Sequence, residues 1–226
     1  MLAQAPSPDS SFYTSATQNT LNIYAQGIGN QSRLINGHEY LYYDRLLKGD
    51  AYYGGYEWRP GKIDYDGVYY HDVPFLYDVY QDLVVLQLPD KAGNYSLINE
   101  KLPQFILMGH TFIKIKADST NKLKTGFYDL LYSGKVQALA KTVKTIQNTG
   151  SYGTIEKSFI EEKSYYIKNK GIYYEVGGEG DVLKALKDKK KEMQQYIKSE
   201  KIKYRKDPDQ FLIKITSYYD HLTNTI

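Results

Sequence analysis

The stretch from residue 61 to residue 142 constrains the fold of this chain most strongly. It consists of short runs rich in aromatic and β-branched residues, each closed by a turn signal such as Asp66-Gly67 or Ser133-Gly134. These residue types suit a pleated, half-buried surface, and turns at this spacing are typical of all-β sandwiches and barrels. We therefore predict a mainly β (α+β) protein, in which an antiparallel β-meander forms a half-barrel or sandwich and C-terminal amphipathic helices follow.

Consecutive strands are predicted along this stretch, with one hairpin before it and one after it. The earlier hairpin turns at Asn36-Gly37 and returns over Glu39–Tyr43, and the later one turns at Asn169-Lys170-Gly171, between Phe159–Lys168 and Ile172–Val176. The strands predicted between them are Lys62–Tyr65, Val68–His71, Phe75–Tyr80, Leu83–Leu88, Tyr95–Asn99, Gln104–Met108, Thr111–Lys116, Gly126–Tyr132 and Lys135–Thr142.

Two helices are predicted after residue 177. Periodic apolar residues favour a first helix over Val182–Ser199 with Asp181 as its N-cap. A second helix begins at Asp207-Pro208, because Asp is a good cap and Pro is favoured at the first helical position. Its apolar stripe consists of Phe211, Leu212, Ile215, Tyr218, Tyr219 and Leu222.

The domain prediction divides the chain into three parts. Residues 1–32 are expected to be a flexible leader, with weak helical periodicity over residues 15–28. Residues 33–176 are expected to form the antiparallel β domain. Residues 177–226 are expected to form a helical segment, either packed on the β domain or appended to it.

Tyrosine is the unusual feature of the composition. The chain has 25 Tyr against 7 Phe and 1 Trp, and many tyrosines occur as adjacent pairs. Neighbours in a strand point to opposite faces, so each pair is expected to place one ring inward and one outward. An outward tyrosine is amphipathic and suits a binding surface for protein or sugar. The alternative is that tyrosine is simply a good strand former whose hydroxyl reaches water.

The candidate ligand- or partner-binding residues lie on a glycine-containing segment over residues 45–60. We predict that Tyr52, Tyr53, Tyr56 and Trp58 form an exposed aromatic patch there. The alternative is that these rings pin the segment to the core.

Catalytic and metal-binding patterns are weak in this chain. Its four histidines match no metal motif such as H-E-x-x-H, and no G-x-S-x-G marks a nucleophilic serine. His71 with Asp64, Asp66 and Asp72 would suit hydrolysis or a metal only if these groups converged in a pocket. The alternative is that these residues are carboxylates beside turns and a histidine on the surface, with no functional role. We therefore predict no catalytic residue, no metal site and no cofactor, and expect a protein that is not an enzyme.

Charge and hydropathy limit the kinds of partner that the sequence indicates. A net charge of +3 is too small to indicate nucleic acid, which we do not expect as a partner. No run approaches the roughly 18 apolar residues of a membrane span. The lysine-rich run over residues 187–206 has interspersed acidic residues, so it is interpreted as a solvated helix face.

The N-terminal residues indicate export. Ala3-Gln4-Ala5 has the A-x-A pattern of a signal-peptide cleavage site, with the signal itself removed. We therefore expect an exported protein of the periplasm or cell envelope.

Several segments together resemble a family of uncharacterised exported proteins of the Bacteroidota. The resemblance covers about residues 33–222 and rests on INGHEYLYYD, YDGVYYHDVPFLYDVYQDLVVL, LMGHTFIKI, GFYDLLYSGKVQALAKT, SYYIKNKGIYYEV and the C-terminal LKALKDKKKEMQQYIKSEKIKYRKDPDQFLIKITSYYD. It implies export and assigns neither an activity nor catalytic residues.

Three functions are therefore open. The first is a non-enzymatic, exported binding or interaction protein that uses a Tyr-rich surface to hold an envelope protein or a small ligand. The second is a carrier of a lipid or carbohydrate in a cavity of the β-sheet, which requires a hollow concave face. The third is a hydrolase, which requires His71 or a carboxylate pair buried in a cleft.

Overall fold

A single antiparallel sheet forms the body of the protein. The structure, a computed structural model, describes residues 34–88, 90–117, 123–148 and 156–224. The predicted leader and the A-x-A pattern of residues 3–5 lie outside these ranges. The eleven strands of the described residues are hydrogen-bonded in the order β1-β5-β4-β3-β2-β6-β7-β8-β9-β10-β11. Their bounds are β1 Gly37–Glu39, β2 Arg59–Tyr65, β3 Val68–Asp78, β4 Leu83–Gln87, β5 Asn94–Leu97, β6 Gln104–Leu107, β7 His110–Ile115, β8 Gly126–Ser133, β9 Gln137–Asn148, β10 Lys157–Asn169 and β11 Ile172–Glu175.

The sheet consists of two meanders joined at one seam. Strands β2 to β5 run outward in one direction, and strands β6 to β11 run outward in the other. The seam is the antiparallel pairing of β2 with β6, in which Ile63 lies opposite Phe105. The mainly β fold with C-terminal helices that the sequence predicts is confirmed.

The sheet curls, so that the turn between β3 and β4 reaches strands β8 and β9. The Asp82 carboxylate accepts hydrogen bonds from the Phe127 amide at 3.1 Å and from the Lys141 ammonium at 2.6 Å. Nearby, the Lys144 amide donates to the Val79 carbonyl at 3.4 Å. These bonds join the β3–β4 turn to strands that are not its neighbours in the sheet, and a flat sheet would hold them far apart.

Aromatic side chains fill the concave face. Phe75, Tyr77, Phe105, Phe112 and Phe127 come from β3, β6, β7 and β8 and are each at most 2% exposed. Their ring centroids lie 4.8–6.1 Å apart, and most pairs are edge-to-face. Such pairs stabilise a core beyond their burial alone.

Three helices cover the same face of the last four strands. They are α1 Glu179–Ala185, α2 Lys190–Ser199 and α3 Pro208–Asn224. Helix α3 places Phe211, Leu212 and Ile215 against sheet residues that include Ala138 and Ile167. The helical segment therefore packs on the β-sheet.

The buried Asp220 carboxylate docks α3 onto the turn between β8 and β9. It accepts hydrogen bonds from the amides of Lys135, at 2.7 Å, and Val136, at 3.2 Å, and from the Tyr132 hydroxyl at 3.2 Å. A Cβ atom on Gly134 would lie 1.7 Å from a carboxylate oxygen of Asp220, so only glycine permits this approach.

Adjacent tyrosines in the strands point to opposite faces, as predicted. Tyr165 packs in the helix-covered core, whereas Tyr166 packs on the opposite face with Tyr128. In β3, Tyr70 is 7% exposed and Tyr69 is 45% exposed.

The hairpin predicted at Asn36-Gly37 is wrong. Gly37 begins β1, which pairs with β5 rather than with the preceding residues, and Gly37 lies opposite Leu97. A Cβ atom on Gly37 would lie 2.0 Å from the Ser96 carbonyl oxygen. The glycine therefore permits close strand pairing and does not form a two-residue turn.

The single helix predicted over Val182–Ser199 is also wrong. It is interrupted by a 3-10 turn at Lys187–Lys189, and the N-cap is Gly178 rather than Asp181. Asn169, at the end of β10, donates its side-chain amide to the Ala185 carbonyl at 2.9 Å. This bond satisfies a carbonyl at the end of α1 and so replaces a continuing helical bond. The start of α3 is confirmed, because the Asp207 side chain accepts the Gln210 amide at 3.0 Å.

Candidate functional site

A buried carboxylate organises the candidate site. Asp78 ends β3, is fully buried, and accepts the hydroxyls of Tyr40, at 2.7 Å, and Tyr43, at 2.6 Å, on one oxygen. Its other oxygen accepts the backbone amides of Tyr80 and Gln81, each at 2.9 Å. These four strong bonds offset the cost of burying the carboxylate, and they fix the chain segment that carries both tyrosines.

Tyr52 completes the buried layer of this site. Its hydroxyl lies 3.2 Å from that of Tyr40, and both rings pack with Leu76 and Val85 on the face of the sheet opposite to the aromatic core. Burial raises the pKa of Tyr52 to about 12 and that of Tyr40 still further. Both hydroxyls therefore keep their protons, and that of Tyr40 is donated to the Asp78 carboxylate.

Exposed rings lie on top of this buried layer. Tyr42 is 52% exposed and Tyr56 is 54% exposed, yet their hydroxyls are 3.1 Å apart and their ring centroids are 6.0 Å apart. Tyr42 also packs edge-on against Tyr40, and Tyr56 packs against Tyr52. Two half-exposed rings are thus held by contacts to each other and to the buried layer.

A second part of the site extends towards β10. Tyr80, which is 43% exposed, packs against Tyr43 at 5.6 Å and against Phe159 of β10 at 5.7 Å. Leu41 and Leu46, in the same segment as Tyr42 and Tyr43, are 73% and 84% exposed. We call the exposed side chains Leu41, Tyr42, Leu46, Tyr56 and Tyr80 the tyrosine surface.

The four residues predicted from the sequence do not form one exposed patch. Tyr52 is 4% exposed and Trp58 is half-buried in the same cluster, so the expected exposure is wrong for these two. Tyr53 lies on the opposite, concave face, where its ring packs 5.0 Å from Phe112. The cause is the isolated bridge of Tyr52 to Asp78, which makes this segment strand-like, so that neighbouring rings diverge. Tyr56 is exposed as expected.

Most of the site is not predicted from the sequence. The sequence predicts Tyr42 and Tyr43 in a return strand and Asp78 in the middle of a strand, whereas β1 ends at Glu39 and β3 ends at Asp78. One available signal is the residue type at position 78, because aspartate is depleted in strands and often accepts amides two and three residues later in an Asx-type turn, as it does from Tyr80 and Gln81.

The residues proposed for hydrolysis do not converge. His71 is exposed and packs its ring against Tyr69 at 4.5 Å, while Asp66 is paired with Lys101 at 3.2 Å. Within the described ranges, none of Asp64, Asp66 and Asp72 forms a hydrogen bond to His71. In the same ranges, no group of three His, Asp or Glu side chains could hold a metal ion. The structure therefore does not bring His71 together with these three carboxylates.

A different histidine has a carboxylate partner. His110 Nδ1 lies 2.7 Å from Oδ2 of Asp129, which is almost completely buried, and the Tyr53 ring packs edge-on against the imidazole. The hydrogen bond to Asp129 raises the pKa of His110. This pair was not predicted, because the two residues are joined only by the pairing of β7 with β8.

Comparisons with known proteins assign no family to this site. A scan against protein-family models and searches of curated proteins and of solved structures found no significant match to the chain. In the part of the chain that the structure describes, no helix is both long enough and apolar enough to cross a membrane.

Proposed function

We propose that this is a non-enzymatic binding protein of the cell envelope that holds a partner protein on its tyrosine surface. The observation that carries the proposal is the state of Tyr42 and Tyr56. Both rings are more than half exposed, and both are fixed in place by each other and by the layer built on Asp78.

Rigid exposed rings favour binding because they lose little freedom when a partner arrives. Tyrosine offers a large amphipathic contact area with few rotatable bonds, and preorganised contacts reduce the entropic cost of association. Tyrosine is accordingly enriched among the residues that dominate interface energies.

The neighbours of these rings favour a protein over a sugar. Leu41 and Leu46 are the most exposed of the large apolar side chains in the described residues. Tyr42 and Tyr56 are nearly perpendicular, with an interplanar angle of 78°, so they do not form a flat platform for stacking a sugar ring. Exposed leucines beside upright rings suit the apolar side chains of another protein.

The carrier alternative is less well supported. It needs an open concave face, and the rings of Tyr77, Phe105 and Phe112 fill that face between the meanders. We therefore propose the outer tyrosine surface, and not the inside of the curl, as the binding region.

Site-specific photocrosslinking tests the proposal. A photoreactive phenylalanine analogue placed at Tyr42 or at Tyr56 should capture the same envelope protein, identified by mass spectrometry. The matched control is Tyr69, which is 45% exposed but belongs to β3, away from this surface. Capture of the same protein from position 69, or of different proteins from positions 42 and 56, would contradict the proposal.

Affinity measurements with the captured partner provide the quantitative test. Combined Tyr42→Ser and Tyr56→Ser substitution should weaken binding by about tenfold or more, since both anchors are lost. Tyr69→Ser should leave the affinity unchanged. The envelope location itself rests on Ala3-Gln4-Ala5 and the family resemblance, and cell fractionation with an antibody against the chain tests it independently.

A further inference from the structure

The outer edge of strand β10 is occupied at both ends and open in the middle. Along one edge, β10 pairs with β9 from Lys157 to Lys168. Along the other edge, Lys48 bridges to Ser158 at one end, and β11 pairs with residues 166–169 at the other. Between these two contacts, no described residue pairs with the backbone of β10.

The hydrogen bonds at the two ends show which backbone groups face the open edge. Lys48 donates its amide to the Lys157 carbonyl and accepts the Phe159 amide, while the Val176 amide donates to the Tyr165 carbonyl. In an antiparallel ladder, residues alternate between bonding to the neighbour and pointing away from it. The backbone N–H and C=O groups of residues 157, 159 and 165 therefore face away from β9. The backbone groups of Glu161 and Lys163 face the same way.

The backbone groups left at the edge therefore include the N–H and C=O of Glu161 and of Lys163. Among the described residues none bonds to them, and Glu161 is exposed. From residue 159 to residue 165 the strand spans about 20 Å at the usual rise per residue, which corresponds to about five residues of an added strand.

Turns at both ends keep the chain from closing this gap itself. After Lys48, Gly49 has a φ of +79°, which turns the chain. The Lys144 ammonium then donates hydrogen bonds to the Asp50 carboxylate and to the Tyr52 carbonyl, and these bonds fix the next residues in place. Beyond Val176, Gly177 and Gly178 lead directly into α1. The two flanking segments therefore stop short of Glu161 and Lys163.

We propose that this gap receives an extended, basic segment of the partner protein, which adds a short strand to β10. The inference rests on the proposed function and names the form in which the partner binds. Only an extended backbone offers donors and acceptors at the spacing of Glu161 and Lys163. The gap adjoins the tyrosine surface, because Phe159 contacts both Tyr43 and Tyr80.

Charge selects the kind of segment. Glu161 and Glu162 are both exposed, and the Lys144 ammonium lies 3.8 Å from the Glu161 carboxylate as well as 3.1 Å from that of Asp50. Lys163 is paired with Asp209 at 2.6 Å, so four carboxylates stand against two ammonium groups and the gap keeps a negative balance. A second copy of this chain would place the same glutamates opposite each other, and like charges directly opposite destabilise a strand pair. Lysine or arginine in the added strand would be attracted instead.

A phage-displayed library of random nonapeptides, selected on the full chain, tests the proposal. Enriched peptides should be rich in Lys or Arg and free of proline. The best peptide, made synthetically, should lose affinity when alternate backbone amides are N-methylated, because the added strand needs those donors. Its binding should shift the amide resonances of Glu161 and Lys163 and protect them from hydrogen exchange.

The critical variant is Glu161→Pro. It removes the outward N–H but no bond to β9, and proline is tolerated where the N–H of an edge strand faces solvent. Peptide binding should fall by about tenfold or more, whereas the matched Glu161→Gln keeps the N–H and should lose only the contribution of charge. Circular dichroism and the Tm check that both variants stay folded.

Several results would overturn the inference. They are the absence of any enriched peptide, unchanged binding by a folded Glu161→Pro variant, and unchanged binding by the N-methylated peptide. Self-association that Glu161→Pro abolishes would identify a second copy as the occupant and reject the basic peptide. If Tyr42→Ser/Tyr56→Ser loses the crosslinked partner while Glu161→Pro keeps it, the tyrosine surface stands and the strand addition fails.

Discussion

The two halves of the sheet are stabilised by different kinds of partner. From β2 to β8 the concave face packs against itself, through rings such as Tyr77, Phe105 and Phe127 that come from distant strands. From β8 to β11 the same face packs against helices, through smaller aliphatic residues such as Ala138 and Ile167 under α3. A curled sheet needs large side chains to fill its interior, whereas a sheet covered by helices needs small ones to let the helices approach.

The exposed aromatic residues of the candidate site lie on the other face of the self-packed half, opposite to the aromatic core. On the helix-covered face, Tyr219 donates its hydroxyl to Asp188 on the neighbouring 3-10 turn. Tyr42 and Tyr56 instead pack on other rings and remain half-exposed. The proposed binding surface is therefore built on the outside of the self-packed half.

Removing a central ring should have the largest effect on stability. Phe105→Ala deletes a side chain that stacks on Phe112 at 4.8 Å and contacts three further rings, so we expect a loss of about 3–5 kcal/mol in the free energy of unfolding. Urea unfolding should be followed both by Trp58 fluorescence, which reports on the self-packed half, and by helical circular dichroism.

The two probes decide whether the halves are one cooperative unit. If they are, Phe105→Ala shifts both transitions equally, and so does Ile215→Ala in α3, at a cost of about 2–5 kcal/mol. If Ile215→Ala shifts only the helical signal, the two halves unfold separately. The difference in packing between the halves then also separates two units of different stability.

Each half also contains a buried carboxylate that accepts backbone amides of a turn, and removing it should have the next largest effect. Asp220→Ala leaves the amides of Lys135 and Val136 without their acceptor, and Asp78→Ala does the same to those of Tyr80 and Gln81. We expect each variant to lose about 2–3 kcal/mol, because buried donors are left unsatisfied.

The binding assay separates these two variants. Asp78→Ala should also weaken partner binding, since the layer under Tyr42 and Tyr56 is disordered, whereas Asp220→Ala should leave the affinity of the folded protein unchanged. Equal loss of binding in both variants would contradict the assignment of the site to one half.

The smallest effect concerns His110, at the junction of the two halves. Its pKa is raised in the folded state by Asp129, so the stabilisation is complete below the ordinary histidine pKa of about 6.5 and is lost as pH rises through the folded value. Since the imidazole is partly exposed, we expect less than about 1 kcal/mol. Urea unfolding between pH 5.5 and 8.5 should show this slope in the wild type, and His110→Gln and Asp129→Asn should each remove it. A slope that persists in either variant would assign it to another group.

Local patterns in the sequence predicted the elements well where turn chemistry and register agree. Asn169-Lys170-Gly171 and the start of α3 at Asp207-Pro208 lie where they were expected, because their signals act over a few residues. Val68–His71 and Phe75–Tyr80 were predicted as two strands but form the single strand β3, in which Pro74 is tolerated.

Long-range contacts account for what the sequence analysis missed. The broken first helix depends on Asn169, and the role of Gly37 depends on Ser96, so neither could be inferred from neighbouring residues. The same holds for the candidate site, since Asp78 lies 38 residues from Tyr40 and 35 from Tyr43. The abundance of tyrosine indicated a surface of this kind, but which rings are buried depends on how the sheet curls.

The bond between Asp220 and the β8–β9 turn has a consequence for biosynthesis. The acceptor lies 85 residues after the Lys135 amide that it binds. At ordinary elongation rates a ribosome needs about 4 to 17 s to add that length of chain. Throughout this interval the nascent hairpin exposes its turn amides to water, and the Gly134 space that later admits the carboxylate stays solvated. The last step of assembly at this end of the sheet therefore follows the arrival of α3.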